Sequence, residues 1–106
     1  MPAIGFLIRK DDESFEGELI TLTVRSDLKV QPVSTKSRPT QADYVVYAQG
    51  MEIGEGWRKI NQGSGREYVS LSLAAPEFGA KPITANLGAV NGKDNSHFAV
   101  IWNPEG

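Results

Sequence analysis

Five residues in the middle of the sequence have side chains of the kind that contact single-stranded nucleic acids. They are two aromatic residues and three cations: Trp57, Arg58, Lys59, Arg66 and Tyr68. Bases stack on aromatic rings and cationic side chains follow the phosphates, so a β surface with both predicts a single-stranded nucleic-acid site. The structural alternative is that Trp57 belongs to the core and that Arg66 and Tyr68 form an ordinary surface pair.

A second group of cations precedes this set. Between positions 25 and 38 the chain has a single acid, Asp27, and four basic residues, Arg25, Lys29, Lys36 and Arg38. We predict that they form a second contact for the same partner. The net charge of −2 and the acidic segment Asp11–Glu18 argue against strong binding through electrostatics alone. Solvated loop and strand faces are the alternative for these charges.

The residues that most enzyme chemistry requires are missing. The sequence has one histidine, His97, and no cysteine, so it predicts no structural zinc site, no thiol nucleophile and no disulfide. It has no glycine-rich phosphate loop with a lysine and no dinucleotide fingerprint. Glu52 and Glu55 have opposite parities in one predicted strand, whereas acid–base catalysis by a pair of acids needs a shared cleft. We therefore expect a protein that is not an enzyme and that uses no metal or cofactor.

The sequence gives no sign of export or of membrane insertion. No apolar run approaches the ~18 residues that cross a bilayer. The apolar residues near the N-terminus lack a preceding basic segment and a cleavage pattern. The prediction is a cytoplasmic protein with one domain over residues 1–106.

Alternating apolar residues and frequent turn residues predict an all-β fold. No segment has the periodicity of a long amphipathic helix. The expected architecture is a single antiparallel domain of about seven or eight strands, either a bent sandwich or a small barrel. The strands are predicted at 4–9, 15–24, 28–33, 44–48, 51–60, 67–73, 82–87 and 98–102. One helical turn is expected near Pro76–Phe78, because Pro76 can start it and Gly79 can end it.

Several local signals refine this prediction. The apolar pattern of the second strand changes phase at Leu19–Ile20, which predicts a bulge or a sharp bend. Pro32 indicates an edge strand, which is a route to a homodimer. The pairs Gln49-Gly50 and Asn91-Gly92 predict tight turns.

The fifth predicted strand contains two glycines. Gly54 and Gly56 share one parity, and glycine inside a strand indicates a bulge or the close approach of another backbone. Trp57 shares the other parity with Ile53, which favours a core position for the indole. A bulge would move Glu55 off the face of Trp57, and without one Glu55 would be a partly buried acid.

Several short motifs occur in an order that resembles a bacterial protein family. They are IGF at 4–6, FEG at 15–17, ADYVVYA at 42–48, EIGEGWRK at 52–59, GREYVSLSL at 65–73, ANL at 85–87 and IW at 101–102. Together they cover almost the whole chain and resemble the family called domain of unknown function 736. The resemblance implies a small protein from a plasmid, an integrative conjugative element or a phage-related region of a proteobacterium. It implies no particular activity and no catalytic residues, and Glu55-Gly56 departs from the small residues that the family often has there.

Two functions remain open. The first is binding of single-stranded nucleic acid within a mobile element, through the basic end of the 51–73 hairpin. The second is binding of a protein, as an inhibitor of a host defence complex or as an accessory factor in conjugation, through a sheet edge or the acidic segment Asp11–Glu18. One continuous basic and aromatic face favours the first function, and scattered charge favours the second.

Overall fold

Eight antiparallel strands close into a barrel in the computed structural model, which describes residues 2–90, 92 and 95–105. The strands follow one another in chain order, and the first pairs with the last. They are β1 Ala3–Arg9, β2 Phe15–Ile20, β3 Arg25–Pro32, β4 Tyr44–Ala48, β5 Met51–Ile60, β6 Glu67–Leu73, β7 Ile83–Ala89 and β8 His97–Asn103. The prediction of an all-β domain is confirmed, and of the two expected architectures the chain adopts the barrel. Within the described residues, no helix is long and apolar enough to span a membrane.

Alternate residues of the strands fill the interior of the barrel. The largest fully buried side chains are those of Leu7, Leu19, Leu28, Leu71, Leu73, Leu87, Val30, Val46 and Val100. An eight-stranded barrel is just wide enough for side chains to fill, and the residues between the buried ones point outwards. The outer face and the two ends of the barrel are therefore the surfaces on which a partner can bind.

Glycines allow neighbouring strands to come close together. A Cβ atom on Gly17 would lie 2.0 Å from the carbonyl oxygen of Phe6, and one on Gly54 would lie 2.1 Å from that of Ser72. Both distances are far shorter than a van der Waals contact, so a residue with a side chain requires a backbone shift at either position. The close backbone approach that the sequence indicates at Gly54 is confirmed.

The second strand is shorter than its apolar pattern suggests. β2 ends at Ile20, so the predicted strand over 15–24 is wrong at its C-terminal end. The Thr21 N–H donates to the Val24 carbonyl at 2.8 Å, and the Val24 N–H donates to Thr21 Oγ1 at 3.1 Å. These two bonds close a turn, and the phase change at Leu19–Ile20 therefore marks the end of a strand instead of a bulge.

Barrel closure also removes the edge that Pro32 indicated. Pro32 pairs with Tyr44 of β4, and β1 pairs with β8. Each of the eight strands in the described part of the chain therefore has a neighbour on both sides. An edge-strand homodimer would require one of these pairs to open.

The turn signals agree with the structure where it describes them. Gln49 and Gly50 both have positive φ, 53° and 77°, as a tight hairpin turn requires. A 3-10 turn occupies Pro76–Phe78 and Gly79 follows it, as predicted. Of the Asn91-Gly92 pair, Asn91 lies outside the described residues.

Candidate nucleic-acid interface

A β-bulge at Ile53 sets which side chains of β5 point out of the barrel. The register between β4 and β5 shifts between Val46 and Tyr47, and Ile53 is the extra residue. Ile53 packs against the core, whereas Trp57 lies on the outer face opposite Ser70 of β6. The assignment of Trp57 to the core rested on its parity with Ile53, and it is wrong because the bulge breaks that parity.

The bulge also explains the position of the two acids of β5. Glu55 is exposed on the outer face, so it is not a partly buried acid, and it stays on the face of Trp57. Glu52 lies opposite the outward-pointing Tyr47, so both acids point out of the barrel instead of apart. Among the described residues, no group of three or more His, Cys, Asp or Glu could hold a metal ion.

Four outward residues of β5 and β6 form a surface that we call the outer platform: Trp57, Lys59, Tyr68 and Ser70. Lys59 lies opposite Tyr68, and Trp57 lies opposite Ser70. Trp57 and Tyr68 are therefore diagonal neighbours on one face, which is within reach for aromatic side chains. Both aromatic residues are half-buried and Lys59 is exposed. Two rings beside a cation on one sheet face suit the stacking of successive bases.

The segment between β3 and β4 is fastened beside the outer platform. The Trp57 indole N–H donates to the carbonyl oxygen of Thr40 at 3.2 Å. The Asp43 carboxylate accepts hydrogen bonds from Lys36 Nζ and from the backbone N–H of Arg58, each at 2.9 Å. The bond from Lys36, followed by that from Arg58, lowers the pKa of the Asp43 carboxyl below its ordinary value. Two of these bonds thus tie this segment to β5, and the third joins Lys36 to Asp43 within the segment.

Arg58 points to one end of the barrel instead of to the outer platform. It lies opposite the buried Val69, so it faces away from Trp57, as the sequence predicts. Its guanidinium carbon lies 5.1 Å from the centroid of the Tyr44 ring, and its Nη1 lies 3.8 Å from the Asp43 carboxylate. Arg58 and Tyr68 line one cleft of about 110 Å³, which we call the mouth cleft. The two side chains therefore share the mouth cleft, and of the two only Tyr68 also belongs to the outer platform.

Two of the predicted cations lie away from the outer platform. Arg25 and Lys29 point outwards from β3, which β4 separates from β5. Arg25 lies 3.4 Å from Glu18, and Lys29 lies 3.8 Å from Glu16, both acids being on β2. The structure therefore does not bring these two cations together with Lys59, and their charge is offset by acids of the neighbouring strand.

The remaining cations lie closer to the outer platform. Lys36 and Arg38 belong to the segment that Trp57 and Asp43 tie to β5. Lys36 forms an ion pair with Asp43. Arg66 precedes β6 and is exposed. The described ion pairs include neither Lys59 nor Arg66, so these two cations can meet phosphates without breaking a contact.

The opposite end of the barrel is apolar, which the sequence analysis did not identify. Its exposed apolar side chains are Ile20, Leu22, Met51 and Trp102, and Leu22 is 105% exposed at the tip of its turn. Two grooves of about 420 and 610 Å³ open there and share Val24 and Phe78 as lining residues. We call this surface the apolar end. The residue that could have revealed this surface is Leu22. Because it is apolar, the pattern includes it in the predicted strand 15–24, although it lies in the turn after β2.

The comparison with protein families agrees with the motif order. The family model described as "Protein of unknown function (DUF736)" matches residues 3–105, a range that contains all eight strands. The chain belongs to the DUF736 family. No curated protein and no solved structure was found to be similar to this DUF736 chain. The family description names no activity, so the surfaces of this member indicate what it binds.

Proposed function

We propose that this DUF736 protein is a non-enzymatic binding protein of a mobile genetic element and that it binds single-stranded nucleic acid on the outer platform. The observation that carries the proposal is the outer face that Trp57, Lys59 and Tyr68 share. A half-buried ring is held by the protein on one side and offers a face to a base on the other, so little side-chain entropy is lost on binding. The mobile-element setting rests on the family resemblance alone.

The charges near the outer platform suit a moderate, salt-dependent interaction. Lys59 near the end of β5 and Arg66 before β6 are exposed and take part in none of the described ion pairs, whereas Glu52 and Glu55 lie towards the other end of β5. Each phosphate that a cation neutralises on a single strand contributes about −0.7 to the slope of log K against log salt. Two such contacts predict a slope of about −1.4.

The test is a fluorescence-anisotropy titration with labelled DNA and RNA strands of about ten nucleotides, which is within the usual site size. Single strands are expected to bind more tightly than duplexes of the same length, and more tightly at low than at moderate salt. Lys59→Gln is expected to reduce the salt slope by about 0.7, because one phosphate contact is lost. Lys29→Gln is the matched control, since Lys29 lies on β3 beside Glu16.

Stacking is tested separately from charge. Tyr68→Ala is expected to weaken binding of single strands by about tenfold, since one base loses its ring. Absence of binding at low salt, or binding that does not depend on salt, contradicts the proposed function. An equal loss of affinity for Lys59→Gln and Lys29→Gln contradicts its location on the outer platform.

A second candidate is a protein-binding module, which the apolar end favours. Leu22 projects from this end and, with Ile20 and Trp102, lines one of its grooves. A two-fold axis at this end would pack the same apolar surface of two copies together and bury each Leu22, so we take a second copy of this chain as the occupant. Light scattering over a range of concentrations tests this function. A dimer that Leu22→Asn abolishes supports it, and a monomer at every concentration contradicts it.

A further inference from the structure

The mouth cleft is continuous with the outer platform. Tyr68 belongs to the outer platform and also lines the mouth cleft. The cleft opens at the end of the barrel where β5 ends and β6 begins, and the buried Val69 and Leu87 lie at its base. Its volume of about 110 Å³ is small, so it can admit one planar group but not a longer segment of a strand.

Three aromatic rings support two arginines in the wall of the mouth cleft. Phe15 packs edge-to-face against Tyr44 and Phe98, with ring centroids 6.0 and 5.0 Å apart. The guanidinium carbon of Arg9 lies 5.2 Å from the centroid of Phe98, and that of Arg58 lies 5.1 Å from the centroid of Tyr44. A ring attracts the guanidinium to its face and leaves N–H groups at the edge of the guanidinium available.

Two carboxylates complete the rim of the mouth cleft, Glu13 and Glu67. Arg9 uses one of its N–H groups for the carbonyl oxygen of Asn95 at 3.2 Å. The ion pairs within the described residues join neither Arg9 nor Arg58 to the two rim acids. The rim therefore presents strong donors and strong acceptors that do not satisfy one another.

The backbone at Glu13 has a conformation that glycine adopts more easily than glutamate. Glu13 has a φ of 67°, in the left-handed region that favours glycine. It lies in the turn that the Lys10 N–H closes by donating to the Ser14 carbonyl at 2.7 Å. A glycine would relieve this strain but would remove one of the two acids from the rim.

We propose that the mouth cleft binds a single base of the nucleic acid and prefers guanine, an inference that rests on the proposed function. Guanine O6 and N7 are adjacent acceptors that match the two-pronged donor of Arg9 or Arg58. Its ring N–H and amino group are adjacent donors that match the two oxygens of Glu13 or Glu67. Adenine and cytosine have one amino group with no ring donor beside it, and thymine has no amino group. Of the four bases, only guanine can accept two hydrogen bonds from one arginine and donate two to one carboxylate.

The test compares DNA strands of about ten nucleotides that are all thymidine except for one central base. The strand with a central dG is expected to bind about tenfold more tightly than those with dA, dC or dT. A base analogue without N7, 7-deazaguanine, and one without the amino group, hypoxanthine, are each expected to lose most of this gain. Equal affinities for the four strands would overturn the inference.

Variants separate the mouth cleft from the outer platform. The double variants Arg9→Gln/Arg58→Gln and Glu13→Gln/Glu67→Gln are each expected to abolish the preference for guanine. Lys59→Gln is expected to weaken the binding of all four strands by the same factor and to leave the preference unchanged. Glu55→Gln is the matched control for Glu67→Gln, since Glu55 is an exposed acid outside both surfaces. Glu13→Gly is expected to raise the urea midpoint of unfolding and, combined with Glu67→Gln, to abolish the preference. A preference that persists in the double variant Glu13→Gly/Glu67→Gln contradicts the assignment.

The two proposals fail in distinguishable ways. Binding of every strand without a preference for guanine leaves the proposed function intact and overturns the inference. If no strand binds, the proposed function is contradicted, and the mouth cleft is then tested by itself with guanosine 5′-monophosphate. Changes in the NMR signals of Arg9, Phe98 and Glu67 that adenosine 5′-monophosphate does not produce support a guanine site. Absence of such changes overturns it.

Discussion

The indole N–H of Trp57 donates to the carbonyl oxygen of Thr40, 17 positions away in the sequence, at 3.2 Å. This bond joins the outer platform to the segment between β3 and β4, which runs beside it. One side chain thus supplies both the anchor, through its N–H, and a stacking surface, through its ring. A substitution that keeps a ring and removes the N–H separates the two.

The substitution Trp57→Phe keeps an aromatic ring and removes the donor. We expect amides of the segment 34–42 to exchange faster with solvent, because one of the bonds that tie it to β5 is lost, and we expect the global stability to fall by about 1 kcal/mol. Native-state hydrogen exchange measures both effects. Trp102→Phe is the control, since Trp102 lies at the apolar end, and equal protection of 34–42 in the two variants would contradict the role of the bond.

Asp43 is expected to make the stability of the fold depend on pH. Its pKa lies below the ordinary value of 3.8 because Lys36, and then the Arg58 N–H, donate to the carboxylate. A group with a lowered pKa in the folded state stabilises the fold above its unfolded pKa, and this contribution is lost as the pH falls through the folded pKa. Asp43→Asn is therefore expected to cost about 1 kcal/mol at neutral pH, a difference that shrinks below about pH 4.

Urea unfolding of the two proteins between neutral pH and pH 2 measures this difference. Asp11→Asn is the matched control, because Asp11 is an exposed acid. A difference between the native protein and Asp43→Asn that stays constant down to the lowest pH would mean that the carboxylate charge does not contribute.

Gly54 is expected to be intolerant of any side chain. Gly54→Ala would place a Cβ atom 2.1 Å from the Ser72 carbonyl oxygen and 3.0 Å from Leu73. Because a backbone atom has to move, we expect a loss of about 2–4 kcal/mol in the free energy of unfolding. Gly88→Ala is the control inside another strand, since no heavy atom lies within 4 Å of the added Cβ there, and we expect it to change stability by less than about 0.5 kcal/mol. Similar urea midpoints for the two variants would contradict the strand approach at Gly54.

A pair of leucines tests the division between the core and the apolar end. Leu71 is 0% exposed and Leu22 is 105% exposed. Leu71→Ala is expected to cost about 2–5 kcal/mol through lost burial and a cavity, whereas Leu22→Ala is expected to be neutral within about 0.5 kcal/mol. Urea unfolding at a concentration where the protein is monomeric measures both. A large loss for Leu22→Ala would show that the turn packs against the barrel.

The sequence predicts much of this barrel because its strands carry local signals. The bounds of β4, β5 and β6 agree with the predicted 44–48, 51–60 and 67–73. These strands are separated by Gln49-Gly50 and by a glycine-rich turn, whose backbone preferences act over a few residues. Val69, Leu71 and Leu73 alternate with polar residues along β6, and all three are buried as that pattern indicates.

What the sequence does not predict depends on contacts between distant segments. The bulge at Ile53 moves Trp57 to the outer face, and no residue next to it in the sequence reveals which of two glycines the bulge precedes. Arg9 and Glu67 line one cleft only because the barrel closes. Asp43 acquires its partners from the preceding segment and from β5. Parity describes one strand at a time, so it cannot say which strands meet.

Of the eight strand pairings in this barrel, the pairing of β1 with β8 is expected to be the slowest to form. Seven of the eight strand pairs join neighbours in the chain, whereas the eighth brings Phe6 to Ala99. Hairpins between consecutive strands form within microseconds. A contact between residues so far apart in the sequence has to overcome the entropy of closing a loop of almost the entire chain. The seam between β1 and β8 is therefore expected to form last. Until β8 has left the ribosome, the nascent chain is an open sheet with two unprotected margins, and its risk of aggregation is highest then.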